Sequence, residues 1–247
     1  MTQEQYKNIL AFLAKTIKGT RFEGHLYSVG GCERDALAGR EIKDIDLVLD
    51  ILNGGIEFAK WLYAEGLLCY VPVTYEHFGT AMFHLKEFPD LELEAVQTRK
   101  EAYHDMESRN PDTAFGTIQD DCTRRDFTYN AIYHNISTDE ICDFNGRSLE
   151  DHKNNILRTC GDPEIIFTED PLRILRAIRF ASRFGSVIEP HTYNGMEKFV
   201  DRLSIISKER IAAEFDKMLT CKNVDYALRT IWEIGAMKYI VPELSDI

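Results

Sequence analysis

The chain has 247 residues and carries 29 Lys+Arg against 41 Asp+Glu, a formal net charge of −12. That length allows one to two domains with ample core, and 44% hydrophobic with 28% charged residues is an ordinary globular composition. No stretch approaches the roughly 20 apolar residues that cross a bilayer, so a membrane partner is not expected. The N-terminus, MTQEQYKNIL, lacks a basic segment followed by an apolar one and does not resemble a signal peptide. The cysteines at positions 32, 69, 122, 142, 160 and 221 form no CxxC pair, which indicates neither a zinc site nor a disulfide framework. A reducing, cytoplasmic location is expected.

The charge is unevenly spread. Residues 1–168 hold 17 basic and 29 acidic residues, whereas residues 169–217 hold 9 basic and 8 acidic. An acidic front suits divalent metal, and the arginine row Arg173, Arg176, Arg179 and Arg183 suits phosphate. A solvated helix face explains such a row equally well on charge alone.

Along the chain, Tyr6, Ile9, Leu10, Leu13 and Ile17 mark an opening amphipathic helix. A short strand over 25–30 runs into Gly30-Gly31. Ile45, Leu47 and Leu49 alternate with Asp44 and Asp46, which predicts a strand over 44–50. A helix over 56–64 follows, then strands over 67–73, 80–86 and 91–96. Residues 104–117 read as a loop, 124–133 as helical, and 141–144 as a strand before the turn Asn145-Gly146. Past Phe167 the pattern becomes helical. Thr168 is read as the N-cap of a helix ending at Gly185, Ser207 as the cap of one to Leu219, and Asn223 as the cap of one to Ile234. The fold class is α+β, with a mixed-sheet domain over 1–162 and an all-helical domain over 163–247.

Asp44 and Asp46 lie two apart on a strand, so their carboxylates share a face while Ile45 and Leu47 turn to the core. Two such carboxylates can share divalent metal and bridge it to substrate phosphates. An isolated acid-x-acid pattern is more often a solvated strand edge. Here it follows a strand, a diglycine turn and Arg34, and small residues let backbone N–H groups approach phosphate. A third carboxylate would come from a neighbouring strand, where Glu92 and Glu94 share one face.

These residues resemble a known family. Tyr27-Ser-Val-Gly-Gly-Cys-Glu-Arg-Asp35, with Gly39-Arg40 and Lys43-Asp-Ile-Asp-Leu47, is similar to the head motif of class II tRNA nucleotidyltransferases. These are the CCA-adding enzymes and bacterial poly(A) polymerases of the polymerase β superfamily. Phe78-Gly79-Thr80, Arg124-Arg-Asp-Phe-Thr-Tyr-Asn-Ala131, Asp143-Phe-Asn-Gly146 with Asp151 and Ile156-Leu-Arg158, Glu169-Asp-Pro-Leu-Arg173, and Ser207-Lys-Glu-Arg-Ile211 with Glu214 follow in the family's order. The resemblance spans about residues 25–217. It implies a polymerase β-like head followed by a helical neck, and a Mg²⁺-dependent transfer of CMP and AMP from CTP and ATP to a tRNA 3′ end.

By the resemblance, Asp44 and Asp46 bind metal and Glu94 is the third carboxylate, five residues before Arg99. Gly30, Gly31 and Arg34 hold the triphosphate. Arg125 and Asp126 hold the nucleotide, with Asp126 towards the ribose hydroxyls. Asp170 and Arg173 read the base, placed at i and i+3 on one helix, and Arg176 and Arg179 continue that face towards phosphate. The plainer alternative for Glu169 and Arg173 is an i,i+4 helix ion pair, worth about 0.3–0.5 kcal/mol.

One residue departs from the family. Glu33 stands where an apolar side chain usually precedes the arginine, which bears on the packing of the turn. Longer members continue into RNA-gripping domains beyond the point where this chain stops, so a head–neck fragment or a short enzyme with weak tRNA affinity is expected. Poly(A), CC-only or A-only addition shares the same motifs, and a non-catalytic nucleotide- or RNA-binding module is the alternative from another class.

Overall fold

The computed structural model describes residues 1–102 and 112–244. The expected loop at 104–117 lies in its first part outside the described residues. The chain forms two compact units that do not follow a single cut: Met1–Glu101, Thr113–Thr123 and Tyr129–Ser148 build the first, while Arg124–Thr128 and the chain from Leu149 onward belong to the second.

The first unit opens on α1 (Gln3–Ile17), whose start is fixed by a reciprocal cap. Thr2 Oγ1 accepts from the Gln5 amide at 3.2 Å and Gln5 Oε1 accepts from the Thr2 amide at 2.8 Å. Its buried side chains are Tyr6, Ile9, Leu10, Leu13 and Ile17, the set given by the sequence spacing. β1 (Leu26–Val29) leads through Gly30 into α2 (Gly31–Leu37), and β2 (Asp46–Leu49) leads into α3 (Gly54–Ala64). Then come β3 (Val73–Tyr75), β4 (Thr80–Leu85) and β5 (Phe88–Gln97). Arg99–Ala102 (β6) pairs with Asp112–Phe115 (β7) in a separate ribbon, and α4 (Ile118–Thr123) follows. β8 (Tyr133–Asn135) and β9 (Glu140–Cys142) close the unit.

Seven strands form one mixed sheet in the order β3-β4-β5-β2-β1-β8-β9. Every neighbouring pair is antiparallel except β2 with β5. The core joins α1, α3 and the sheet, with Phe22, Phe58 and Phe83 packed edge to face. α3 is seated very close to the sheet: a Cβ on Gly55 would lie 2.2 Å from the Ala95 carbonyl oxygen and 2.7 Å from that of Gly79.

Two first-unit expectations change. The strand predicted over 67–73 is reduced to a single bridge between Leu68 and Leu85, with regular pairing only from Val73, after Pro72. The strand predicted from Asp44 begins at Asp46, so Asp44 lies just ahead of it.

The second unit takes α5 (Ser148–Asn154) from the end of the first and adds a short parallel pair, β10 (Ile156–Leu157) with β11 (Val187–Ile188). The rest is helical: α6 (Pro163–Glu169), α7 (Leu172–Phe184), α8 (Pro190–Phe199), α9 (Lys208–Leu219), α10 (Val224–Glu233) and α11 (Met237–Ile240). Residues 124–128 are not helical as expected. The Thr128 amide donates to the Arg158 carbonyl at 2.9 Å and the Cys160 amide to Asp126 at 3.3 Å, so the segment's backbone pairs across rather than along itself. Phe127 packs edge-on against Phe180, and Asp151 accepts from Thr128 Oγ1 and Arg158 Nε. These bonds tie 124–128 and 149–158 to the helices and move the compact unit's start ahead of the expected residue 163.

Thr168 is interior to α6 rather than an N-cap. Asp162 caps that helix through the Glu164 amide, Pro163 occupies its first turn, and Pro171 cannot continue it. Asp170, ahead of Pro171, is extended at φ −136°, so the predicted single helix is broken in two there. Gly185 ends α7 in the left-handed region, as expected.

Gly55→Ala places a methyl group against two backbone oxygens that cannot rotate away. A loss of about 1–3 kcal/mol is expected, read as a lower urea midpoint in equilibrium unfolding.

Candidate active site

Adjacent strands of the first unit bring two of the predicted acidic residues, Asp46 and Glu94, side by side, while Asp44 lies just ahead of β2. β1 lies between β8 and β2, and β2 lies between β1 and β5. Val29, the last residue of β1, is the register partner of Asp46, and Asp46 is the parallel partner of Glu94. The glycine turn leaves β1 directly after Val29. Gly30, Asp46 and Glu94 are therefore neighbours across the sheet although they lie up to 64 positions apart.

Gly30 adopts φ +87° and ψ −130°, a backbone that side chains other than hydrogen exclude. Asp44 and Asp46 are exposed, while Ile45 and Leu47 are buried, as the alternation requires. The register also separates the two candidate glutamates. Glu94 stands opposite Asp46, whereas Glu92 is opposite His84 and forms an ion pair with it at 3.5 Å. The Glu94 carboxyl is held above the usual range by burial first and then by the negative charge of Asp46, against the opposing pull of Arg99. Among the described residues no three acidic, His or Cys side chains already converge on one point. Hard carboxylate oxygens at Asp46 and Glu94 nevertheless fit a divalent cation that prefers oxygen ligands.

Arg34 was expected to reach a triphosphate. It is buried, with Nε and Nη2 on the two oxygens of Asp35 at 3.1 and 2.7 Å and Nη1 on Asn130 Oδ1 at 2.6 Å. The guanidinium braces the turn from behind, and Arg40 adds a 3.4 Å contact to Asp35. Neither Asp35 nor Asn130 had been given a role from sequence. Both lay inside quoted motifs, which was the only available signal.

The second unit carries the other predicted residues. Arg176 places Nε and Nη2 on Asp126 Oδ2 at 3.0 and 2.6 Å, while Asp126 Oδ1 accepts from the Phe127 amide at 2.8 Å. Arg125 is half-buried beside them. Arg173 donates to the Arg124 carbonyl at 2.9 Å and pairs with Glu169 at 3.3 Å, the expected i,i+4 bridge. Asp170 does not share a helix with Arg173. It sits at the break, where Oδ1 accepts from the Leu172 amide and Oδ2 from Arg210 Nη2, both at 3.2 Å. Arg210 belongs to the quoted Ser207-Lys-Glu-Arg segment but had no assigned role.

Arg179 does not continue a phosphate-facing row. Steps of three residues turn a helix by about 300°, so each arginine in the row is rotated roughly 60° from the last. By Arg179 the side chain has turned inward, where Nε donates to Glu214 Oε2 at 2.6 Å in a buried pair. Burial pushes the Glu214 carboxyl up, but Arg179 outweighs it and the net direction is down.

A family model described as the poly A polymerase head domain matches residues 26–158, and one described as a probable RNA and SrmB-binding site of polymerase A matches residues 187–247. The chain is 34% identical over 231 residues to the tRNA nucleotidyltransferase cca2 of Schizosaccharomyces pombe, which covers 85% of this chain and 46% of that protein. It is 30% identical to the solved Thermotoga maritima CCA-adding enzyme complexed with tRNA-CCA, with a TM-score of 0.80 over 97% of this chain and 53% of the other. A CCA-adding enzyme solved with CTP gives 30% identity and a TM-score of 0.78, covering 96% of this chain and 52% of the other. The chain thus spans about half the length of the relatives it matches.

Glu214→Ala leaves the Arg179 guanidinium buried without this partner. A loss of about 3–5 kcal/mol is expected in urea unfolding, with Glu214→Gln losing less because it keeps an acceptor.

Proposed function

We propose that this chain, which belongs to the poly(A) polymerase head-domain family, is a template-independent nucleotidyltransferase that adds CMP and AMP to the 3′ end of tRNA. The observation that carries the reading is the placement of Asp46 beside Glu94 at the end of β2, next to the Gly30–Gly31 turn. The similarity to CCA-adding enzymes, two of them solved with tRNA or with CTP, supports the choice of substrates. The match of residues 187–247 to an RNA-binding region supports RNA as the acceptor. The six free cysteines suit a reducing, cytoplasmic setting. Among the described residues no helix is long and apolar enough to cross a membrane.

In this reading the RNA 3′-hydroxyl attacks the α-phosphate and pyrophosphate leaves. Asp44, Asp46 and Glu94 would hold Mg²⁺, which when bound lowers the charge on the phosphates and the pKa of the attacking hydroxyl. The backbone turn at Gly30, which is buried, and Gly31, which is half-buried, receives the triphosphate, with the Arg34 charge close behind it. Arg125 and Asp126 take the nucleotide, and Arg176 fixes the Asp126 carboxylate for the ribose hydroxyls. Asp170 and Arg173 read the base. Asp170 Oδ2, now on Arg210, accepts the exocyclic amine of cytosine or adenine in exchange, while the keto oxygens of uracil and guanine offer it no proton.

The description of the matched head family favours one second reading, poly(A) addition. An incorporation assay with tRNA lacking CCA, tRNA ending in CC and unrelated RNA separates the two: CCA addition requires CTP first and a tRNA end, whereas poly(A) addition uses ATP on any 3′ end.

Asp46→Asn should lower incorporation by more than the roughly 10- to 100-fold typical of residues that only orient a metal ligand. Circular dichroism should stay unchanged, because the side chain is exposed. Wild-type turnover in this variant would refute the metal assignment.

Asp170→Ala should reduce the preference for CTP and ATP over UTP and GTP by roughly 5- to 150-fold, the value of about 1–3 kcal/mol for one mispaired polar group. The check is kcat/KM with each of the four nucleotides. An unchanged preference would leave Asp170 as a helix-break residue alone.

A further inference from the structure

Glu33, the residue that departs from the family pattern, is 1% exposed and lies in the first turn of α2, between Gly31 and Arg34. Its Oε1 accepts from the Tyr6 hydroxyl of α1 and from Ser28 Oγ of β1 at 2.5 Å. His134 Nδ1 of β8 lies 3.6 Å from the same oxygen, and His134 Nε2 lies 2.8 Å from Asp139 Oδ1. The Ser28–Glu33 bond spans the glycine turn, closing it into a loop of five residue steps. A carboxylate is buried here, and side chains from three elements, α1, β1 and β8, meet it.

The charge of Glu33 has one cationic neighbour in this set. Both nitrogens of His134 face carboxylate oxygens, and only the imidazolium offers a proton to each. A neutral ring turns a lone pair towards one of them and loses that contact. The groups facing His134 are Glu33 from α2, Asp139 from the β8–β9 turn, and Tyr6 and Lys7 from α1, around a cavity of about 710 Å³. Ser28 of β1 is its register partner, and Cys32 adjoins Glu33.

We propose that Glu33 and His134 form a proton-linked clamp that holds the glycine turn in its nucleotide-receiving shape, making both positioning residues for nucleotide binding. The clamp rests on the reading that this turn receives the triphosphate. Burial pulls the His134 imidazolium down, but hydrogen bonds and charge from Glu33 and Asp139 outweigh it, and the net direction is up. Tyr6 is raised by burial and Cys32 is pushed up to about 12, so both stay protonated near neutrality. A histidine raised in the folded state contributes fully below its ordinary value of about 6.5, and the contribution is lost as pH rises through the folded value.

The test is CTP binding in the presence of Mg²⁺, measured by calorimetry from about pH 7 to about pH 9, above the phosphate's own titration near 6. Amide hydrogen exchange of residues 31–34 is followed in parallel. Wild type should lose affinity roughly tenfold over that range, as the turn amides lose protection. Glu33→Gln keeps an acceptor for Tyr6 and Ser28 and removes the charge, so its profile should be flat. His134→Gln should bind weakly and exchange fast at every pH, and the double variant Glu33→Gln with His134→Gln should recover protection. Parallel profiles in wild type and Glu33→Gln, or unchanged exchange in His134→Gln, would overturn the clamp. If no variant binds CTP at any pH, the assignment of the turn to the triphosphate fails instead, and the exchange rates still decide whether the clamp exists.

Discussion

The site depends on one strand pairing. β2 and β5 are the single parallel pair in an otherwise antiparallel sheet, and their register sets Asp46 against Glu94. A slip of β2 by one residue would turn Asp46 to the face opposite Glu94 and bring Leu47 out of the core, where it is fully buried. The apolar side of β2 therefore fixes the position of its acidic side. The close seating of α3 over Ala95, possible only with glycine at position 55, braces β5 behind that pairing. Like charges placed opposite each other destabilise a sheet, so the strand ends carry an unfavourable term that core burial offsets.

In the second unit the organising force is the arginine–carboxylate pair. Asp126, Asp170 and Glu214 each hold an arginine from α7 or α9. These pairs differ in burial, and so in consequence. Arg179 with Glu214 is enclosed and fastens α7 to α9, whereas Arg210 with Asp170 is open to solvent and can exchange partners cheaply. An open pair beside a helix break suits a residue that must release one hydrogen-bonding partner to take another.

Much of this was legible in the sequence for local reasons. The α1 spacing named its five buried residues, the alternation at Ile45 and Leu47 gave the exposed Asp44 and Asp46, and Gly185 marked the end of α7. The failures share a cause. The helix predicted over 124–133 is reduced to a 3-10 turn at Thr128–Asn130, because the Thr128 amide and the Asp126 carbonyl bond to Arg158 and Cys160, partners far along the chain that no local pattern reveals. Thr168 has the side chain of an N-cap but sits inside α6, because Pro171, through its effect on Asp170, places the break two residues later. The choice between Glu92 and Glu94 needed strand register, and the inward turn of Arg179 needed the position of α9. Glu33 showed as an anomaly in the sequence, but its partners Tyr6, Ser28 and His134 lie on three separate elements.

The path of the backbone has a consequence for how such a protein can be altered by recombination. The first unit is assembled from three stretches, with β1 pairing to β8 more than a hundred residues later, and residues 124–128 are lent to the second unit in between. A single crossover between residues 128 and 140 divides the sheet and separates Phe127 from the helix that carries Phe180. No single exchange draws the two units whole from different parents, so a chimaera that keeps both cores intact must cross over several times, carrying residues 124–128 together with the helices of the second unit.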